Sequence, residues 1–362
     1  MVGRVLGFAW LAFWLWARAT QGQVPLRTQV ALAPQAGFLW QHNDEIKHLG
    51  CHPVGLWASV APARWAAAPG LGAYANGRFG LSVGWLNFRR AELGHALPVL
   101  VYFENAAPAT RTWSLFYRIS AGVTWLSAPF ELDRNPLNTA YSAPLTWAMQ
   151  GRIGFERRTS GGFWQVGANL THFSNGGFRL PNLGLNLPAA FVAYGLGIPT
   201  QRPYYAVADT APLPSRHHLD VTAGFGGHSV QTWPARLYAS GLGRLAYRYG
   251  YARNADLALG LDVIHQGSLA EARQVLGRPG APIARLAITA GHEWYLSRQV
   301  ALSTHLGYYL YNQLPVDKPF YQRYGFRFAA RRKLSPAVWL RAHAGKADLI
   351  EYALTYTLPL KP

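Results

Sequence analysis

Along much of this chain, apolar side chains alternate with polar or small ones at a period of two. In "WSLFYRISAGVTW", Trp113, Leu115, Tyr117, Ile119, Ala121, Val123 and Trp125 share one face, while Ser114, Arg118, Ser120, Gly122 and Thr124 share the other with Phe116 among them. In "RFGLSVGW", Phe79, Leu81, Val83 and Trp85 oppose Arg78, Gly80, Ser82 and Gly84. The last such segment, "IEYALTYTL", sets Ile350, Tyr352, Leu354, Tyr356 and Leu358 against Glu351, Ala353, Thr355 and Thr357. This is the pattern of β-strands with one apolar face. Similar segments recur at 144–158, 162–175, 189–199, 215–227, 235–252, 254–266, 281–296, 298–312, 319–331 and 334–346, separated by turn-forming clusters such as "RTSGG", "GRPGAP" and "NQLPVDKP".

A membrane-crossing strand needs about 9–11 residues. Segments of that length, apolar on one face, predict a transmembrane antiparallel β-barrel of the outer-membrane type, all-β, with about 12–16 strands. A closed barrel is the only sheet that satisfies its backbone in lipid. A soluble β-sandwich with buried apolar faces is the competing architecture. Trp and Tyr at segment ends favour the membrane, where aromatic girdles mark both interfaces. The stretch from Val24 to Asn76 alternates less cleanly and leaves room for a plug or a long loop. No internal repeat and no linker divides the chain, so residues 23–362 are expected to form a single outer-membrane barrel domain.

The first residues change the picture further. Arg4 precedes the apolar run "VLGFAWLAFWLWA", Val5 to Ala17, and then "RATQGQ". A basic start, an apolar core of this length and small residues after it predict a secretory signal peptide over residues 1–22. The core is short for a membrane span. Composition agrees with a lipid-facing surface: of 362 residues only 14% are charged, and another 14% are Phe, Trp or Tyr. The formal net charge is +18, which suits an anionic surface. Behind a signal peptide, phosphorylated lipid is a better partner than nucleic acid. The single cysteine, Cys51, excludes an internal disulfide.

The candidate chemistry lies in "GGFWQVGANLTHFSNGGFRLPNLGLN". Trp164, Val166, Ala168 and Leu170 fall on one strand face; Phe163, Gln165, Gly167, Asn169 and Thr171 fall on the other. By parity His172 and Ser174 continue the apolar, lipid-facing side. Residues i and i+2 of a strand share a side, and a hydroxyl beside an imidazole is the minimum unit of an activated nucleophile. The alternative is a pair of wetted residues at the interfacial girdle. The turn from Arg158 to Gly162 is short, and short turns face the periplasm. His172, some ten residues beyond it, therefore lies toward the outer-leaflet end of its strand.

"HFSNGGFRLPNLGLN" resembles the His-x-Ser-Asn motif of the outer-membrane lipid A 3-O-deacylases, acyl hydrolases built on a small β-barrel. The likeness is tight over His172 to Asn186, including Asn175, Gly177, Pro181, Asn182 and Gly184, and architectural elsewhere. It implies Ser174 as nucleophile, His172 as general base and an ester-linked acyl chain of lipid A as substrate, with no cofactor. The family's third member is a glutamate fourteen residues after the histidine. Here that position is Asn186, and no Asp or Glu occurs between Glu156 and Asp209. An amide oxygen can orient an imidazole, as in Cys-His-Asn enzymes, but it carries no charge to stabilise imidazolium. The backbone N–H groups of Asn175, Gly176 and Gly177 are candidates for an oxyanion hole, or else the turn is simply a glycine-rich hairpin end.

Other polar clusters carry less. "QHNDEIKHLGCHP" gathers His42, Asp44, Glu45, His48, Cys51 and His52, with His48 and His52 on one face if the stretch were helical; a polar loop or periplasmic turn is the simpler reading than a metal site. His217, His218, His292, Asp262 and His265 are expected in the lumen or at the interface, and the "FRR", "ERR" and "ARRK" ends either hold phosphates or, the favoured reading for most, mark the membrane boundary. The sequence thus points to an outer-membrane acyl hydrolase acting on lipid A, with phospholipid as a second substrate class. A non-catalytic barrel, either a porin or a lipid-binding protein, is the alternative.

Overall fold

The computed structural model describes residues 28–62, 77–108, 112–197, 216–230, 236–297, 299–344 and 346–360. The expected signal peptide at 1–22 lies outside them. Among the described residues sixteen strands form two closed antiparallel barrels, each with neighbouring strands in chain order. The first contains β1 (Gln29–Gly37), β2 (Val54–Ala61), β3 (Arg78–Asn87), β4 (His95–Pro108), β5 (Trp113–Leu126), β6 (Leu145–Arg158), β7 (Gly162–Ser174) and β8 (Leu185–Leu196). The second contains β9 (His217–Ser229), β10 (Leu237–Ala252), β11 (Ala255–Gln266), β12 (Ala284–Tyr295), β13 (Val300–Tyr311), β14 (Phe320–Phe328), β15 (Leu334–His343) and β16 (Lys346–Leu360).

The alternation expected from sequence therefore builds outer-membrane-type barrels, but the strands of residues 23–362 close twice rather than once. β1 pairs with β8, from Val30 opposite Leu196 to Gly37 opposite Ala189. β16 pairs with β9, from Glu351 opposite Gly226 to Leu360 opposite His217. Alternation specifies which face of a strand meets lipid, and it is silent on which strand closes the ring. The Val24–Asn76 stretch holds β1 and β2 in addition to a long connection. Their weak alternation has a physical cause. One end of the first lumen is itself apolar, packed with Trp57, Leu86, Phe88, Phe116, Phe173 and Phe191, so β2 carries apolar or small residues on both faces and β1 sets only Gln29 and Gln35 against them.

Eight strands leave an interior just wide enough to be filled by side chains, and both lumens are filled. In the first, Glu104 bridges Arg78 and Arg118 at 2.6 Å each, and Glu156 holds Arg158 at 2.9 Å. In the second, Asp262 pairs with Arg244 and Arg323, Glu351 with Arg323 and Arg341, and Asp220 with Arg248 and Arg327. Buried charges persist only when paired and hydrogen-bonded, and the mutual pairing meets that condition. The outer faces are apolar: Ile153, Phe155, Val166 and Val192 on the first barrel, and Val221, Leu245, Leu257, Leu259, Leu306 and Leu354 on the second, are exposed.

In the first barrel, the turn between β6 and β7 spans only residues 159–161. The opposite end carries the connections 38–53, 88–94, 127–144 and 175–184, while 62–77 and 109–112 join strands at the same end as the 159–161 turn. Ile46 and Leu49, from a turn of 3-10 helix at Asp44–Leu49, pack into the apolar core at that end. His172 and Ser174 end β7 on this long-loop side.

Candidate functional site

β7 alternates as its sequence predicts. Trp164, Val166 and Leu170 are exposed at 49%, 46% and 42%, while Gln165, Asn169 and Thr171 are buried in the lumen at 2%, 4% and 0%. Phe173 is fully buried and points inward with them. His172 and Ser174 on either side of it therefore share the outer face. β8 keeps its register through Pro188, which sits opposite Leu170. Leu185 and Leu187 point into the core, so Asn186 between them points out. It lies directly across from His172 in the β7–β8 ladder. The outcome is the contact expected of an orienting residue: His172 Nδ1 lies 2.7 Å from Asn186 Oδ1. With an oxygen as its partner, Nδ1 carries the hydrogen, which leaves Nε2 bare to accept a proton.

Ser174 is not left on open lipid. It is only 5% exposed, covered by the connection to β8. Asn182 on that connection donates from Nδ2 to Ser174 Oγ at 2.9 Å. Its Oδ1 accepts the backbone N–H of Asn175 at 3.0 Å, which fixes the amide with its N–H groups toward the serine. The Asn175 N–H, one of the three candidate oxyanion donors, is thus engaged with Asn182. Gly176 and Gly177 follow at φ +66° and +78°, the left-handed region that suits glycine. Gly184 has φ +77°, and a Cβ there would sit 3.1 Å from His172 Cε1 and 3.2 Å from the Phe173 carbonyl oxygen. Its lack of a side chain lets the imidazole lie against the backbone.

A second histidine enters that motif spacing does not reveal. His42, from the connection after β1, places Nδ1 at 3.0 Å from Asn186 Nδ2 and Nε2 at 3.1 Å from the Leu183 carbonyl oxygen. The β1–β8 pairing continues past the strand ends, with Trp40 N–H donating to the Asn186 carbonyl at 2.9 Å, and this delivers His42 to the site. No local signal marks it, since 144 residues separate it from Asn186. The sequence distinguishes Asn182 only as part of the motif that resembles the deacylases.

The rest of the "QHNDEIKHLGCHP" cluster does not gather. The helical turn stops at Leu49, before His52, and His48 Nε2 lies against the Leu137 carbonyl oxygen at 2.7 Å. Burial pushes the Cys51 thiol up to about 11, against the pull of the Arg90 cation, so it stays a thiol and a poor metal ligand near neutral pH. Among the described residues no group of three or more His, Cys, Asp or Glu converges as metal ligands would. The stretch is a connection at the site end of the barrel, not a turn at the short-turn end. In the second barrel Asp262 is buried in the lumen, whereas His292 packs with Tyr251 and Trp294, and His217 with Tyr247 and Tyr249.

Two closed, charge-filled barrels with apolar exteriors define a barrel protein of the outer-membrane type. A family model described as lipid A 3-O-deacylase (PagL) matches residues 70–195, and one described as acyloxyacyl hydrolase, C-terminal domain, matches residues 217–360. The first model covers β3 to β8 of the first barrel, and the second covers β9 to β16, the whole of the second. Among solved structures it is similar to the outer membrane enzyme PagL at 18% identity, over 46% of this chain and 99% of that one, with a TM-score of 0.34. It is similar to Neisserial surface protein A at 8% identity, over 46% and 94%, with a TM-score of 0.32. The siderophore receptor PirA from Pseudomonas aeruginosa aligns at 8% identity over 92% of this chain and 62% of its own, with a TM-score of 0.26. No curated protein matches.

Proposed function

We propose that this protein is an integral outer-membrane hydrolase that removes an ester-linked fatty acid from lipid A at the outer surface of its first barrel. The observation that carries the reading is the 2.7 Å contact between His172 Nδ1 and Asn186 Oδ1, on the outer barrel face that also presents Ser174, within a domain matched by the deacylase family. Long connections at that end are the extracellular ones in outer-membrane barrels, so the site would meet the outer leaflet, where lipid A resides. The net charge of +18 suits the phosphates of such a lipid.

In this reading Ser174 Oγ attacks the ester carbonyl carbon and its proton passes to His172 Nε2. Asn186 Oδ1 holds Nδ1–H and fixes the tautomer. The tetrahedral oxyanion is met by the Asn182 side-chain amide, which already donates to Ser174 Oγ. Collapse of the intermediate expels the lipid alkoxide, which takes the proton from His172 and leaves an acyl-serine. Water, deprotonated by His172, then attacks the acyl-serine; the intermediate releases the fatty acid as His172 returns the proton to Ser174 Oγ. The side-chain-filled lumens disfavour the porin alternative. The test is mass spectrometry of lipid A from a Gram-negative host with and without the protein. Lipid A lighter by one acyl chain supports the reading. Unchanged lipid A with lighter phospholipid would reassign the substrate, and no change in either would favour a lipid-binding barrel.

A further inference from the structure

The carboxylate expected at position 186 would need no help to present an acceptor, because both of its ends accept hydrogen bonds. Asn186 is different. Its amide has one end that accepts and one that donates. If the donor end faced His172, Nδ1 would become the acceptor, the proton would move to Nε2, and the imidazole could no longer take the serine proton. Whatever faces the far end of the amide therefore decides whether the base works.

That neighbour is His42. Its Nε2 lies 3.1 Å from the Leu183 carbonyl oxygen, an acceptor only, so Nε2 carries the hydrogen. A neutral imidazole then has a bare Nδ1, and this atom lies 3.0 Å from Asn186 Nδ2. The Trp40 carbonyl oxygen is farther from the same Nδ1, at 3.2 Å, and is shared with the His42 backbone N–H at 3.0 Å, so Asn186 Nδ2 is the nearer partner. Bare Nδ1 accepts from Asn186 Nδ2–H, the amide is held with Oδ1 toward His172, and Nδ1–H of His172 donates to it at 2.7 Å. The chain of donors runs one way: Asn186 to His42, His42 to Leu183, and His172 to Asn186. The backbone supports the same arrangement, since Phe38 N–H donates to the Pro188 carbonyl and Trp40 N–H to that of Asn186.

We infer that His42 is a positioning residue that locks the Asn186 amide in the orientation able to serve His172, and so replaces in part what a carboxylate would supply at that position. The inference rests on the proposed Ser174–His172–Asn186 reading. It implies a coupling between His42 and the chemical identity of residue 186. With a carboxylate there, the lock has nothing to lock.

The experiment is a mutant cycle on the full-length protein folded in detergent micelles, with release of fatty acid from purified lipid A as the readout. The variants are His42→Leu, His42→Gln, Asn186→Asp and the double variant His42→Leu/Asn186→Asp, with Ser174→Ala alongside. Asn186→Asp keeps the size of the side chain. His42→Leu should lower kcat by about tenfold, a fraction of the ~10⁴ loss seen when a triad histidine is held in the wrong tautomer, with KM within about twofold. His42→Gln, whose amide oxygen can accept from Asn186, should recover kcat to within about threefold of wild type. In the Asn186→Asp background, His42→Leu should change kcat by less than about twofold. An equal loss from His42→Leu in both backgrounds would overturn the inference, as would no loss in either, because His42 would then act through packing, through substrate contact or not at all. Activity retained by Ser174→Ala would instead overturn the underlying reading, so the two failures are distinct.

Discussion

Asn186 is where this chain departs from the pattern of the family it resembles, and its geometry makes specific demands. The amide accepts from His172 but cannot neutralise the imidazolium that forms as Ser174 attacks. Asn186→Ala should lower kcat by freeing the wrong tautomer. Asn186→Glu should raise kcat on the order of tenfold to a hundredfold. The carboxylate also favours protonated imidazole, so the acid limb of the pH–rate profile should move to higher pH, since the base must be neutral to work. Ester hydrolysis against pH checks both outcomes, and an alanine variant equal to wild type would remove Asn186 from the machinery. Gly184 offers a second test at this scale. A methyl there would sit 3.1 Å from His172 Cε1, at a backbone φ of +77° that L side chains rarely adopt. Gly184→Ala should therefore cost about tenfold or more in kcat through a displaced base. A folded Gly184→Ala barrel with full activity would contradict the placement of the imidazole against that glycine.

At the scale of elements, β7 (Gly162–Ser174) is the strand on which the proposal depends. Ala168 is its middle residue and shares the outer face with Val166 and Leu170. If that face meets lipid, Ala168→Arg should cost about 2–4 kcal/mol, the value for a cation at the bilayer midplane on a barrel exterior. Denaturant unfolding from vesicles measures it, and a neutral substitution would show that the face is not in lipid. The strand was readable in advance because lumen and lipid impose opposite chemistry on alternate residues, and the His172-x-Ser174 spacing followed from it. β1 and β2 were not readable as strands, because the apolar lumen around Trp57 and Phe191 erases the contrast between faces. For the same reason His42 could not be linked to Asn186: the link exists only through the β1–β8 closure, a long-range pairing that no local pattern encodes.

At the scale of the molecule, the sequence shows how many residues alternate but not how many rings they make. Two separately closed sheets predict two unfolding transitions in place of one. The second barrel's lumen holds Arg323 between Asp262 and Glu351, all three buried. Arg323→Leu removes one of the two cations that each carboxylate pairs with, leaving Asp262 to Arg244 and Glu351 to Arg341, and should lower one transition by up to about 3–5 kcal/mol, the usual cost of breaking a buried pair, leaving the other in place. A single cooperative transition that moves as a whole would contradict independent barrels.

The central claim is that Ser174, on the outer face of the first barrel, carries the acyl transfer. The most direct measurement is the mass of purified lipid A after incubation with wild-type protein and with Ser174→Ala, each confirmed as a folded barrel by its heat-modifiable electrophoretic mobility. The account predicts that wild type removes one acyl chain, with the fatty acid recovered, and that Ser174→Ala leaves lipid A intact, slowed by several orders of magnitude. Deacylation by Ser174→Ala at a rate within about tenfold of wild type would contradict it.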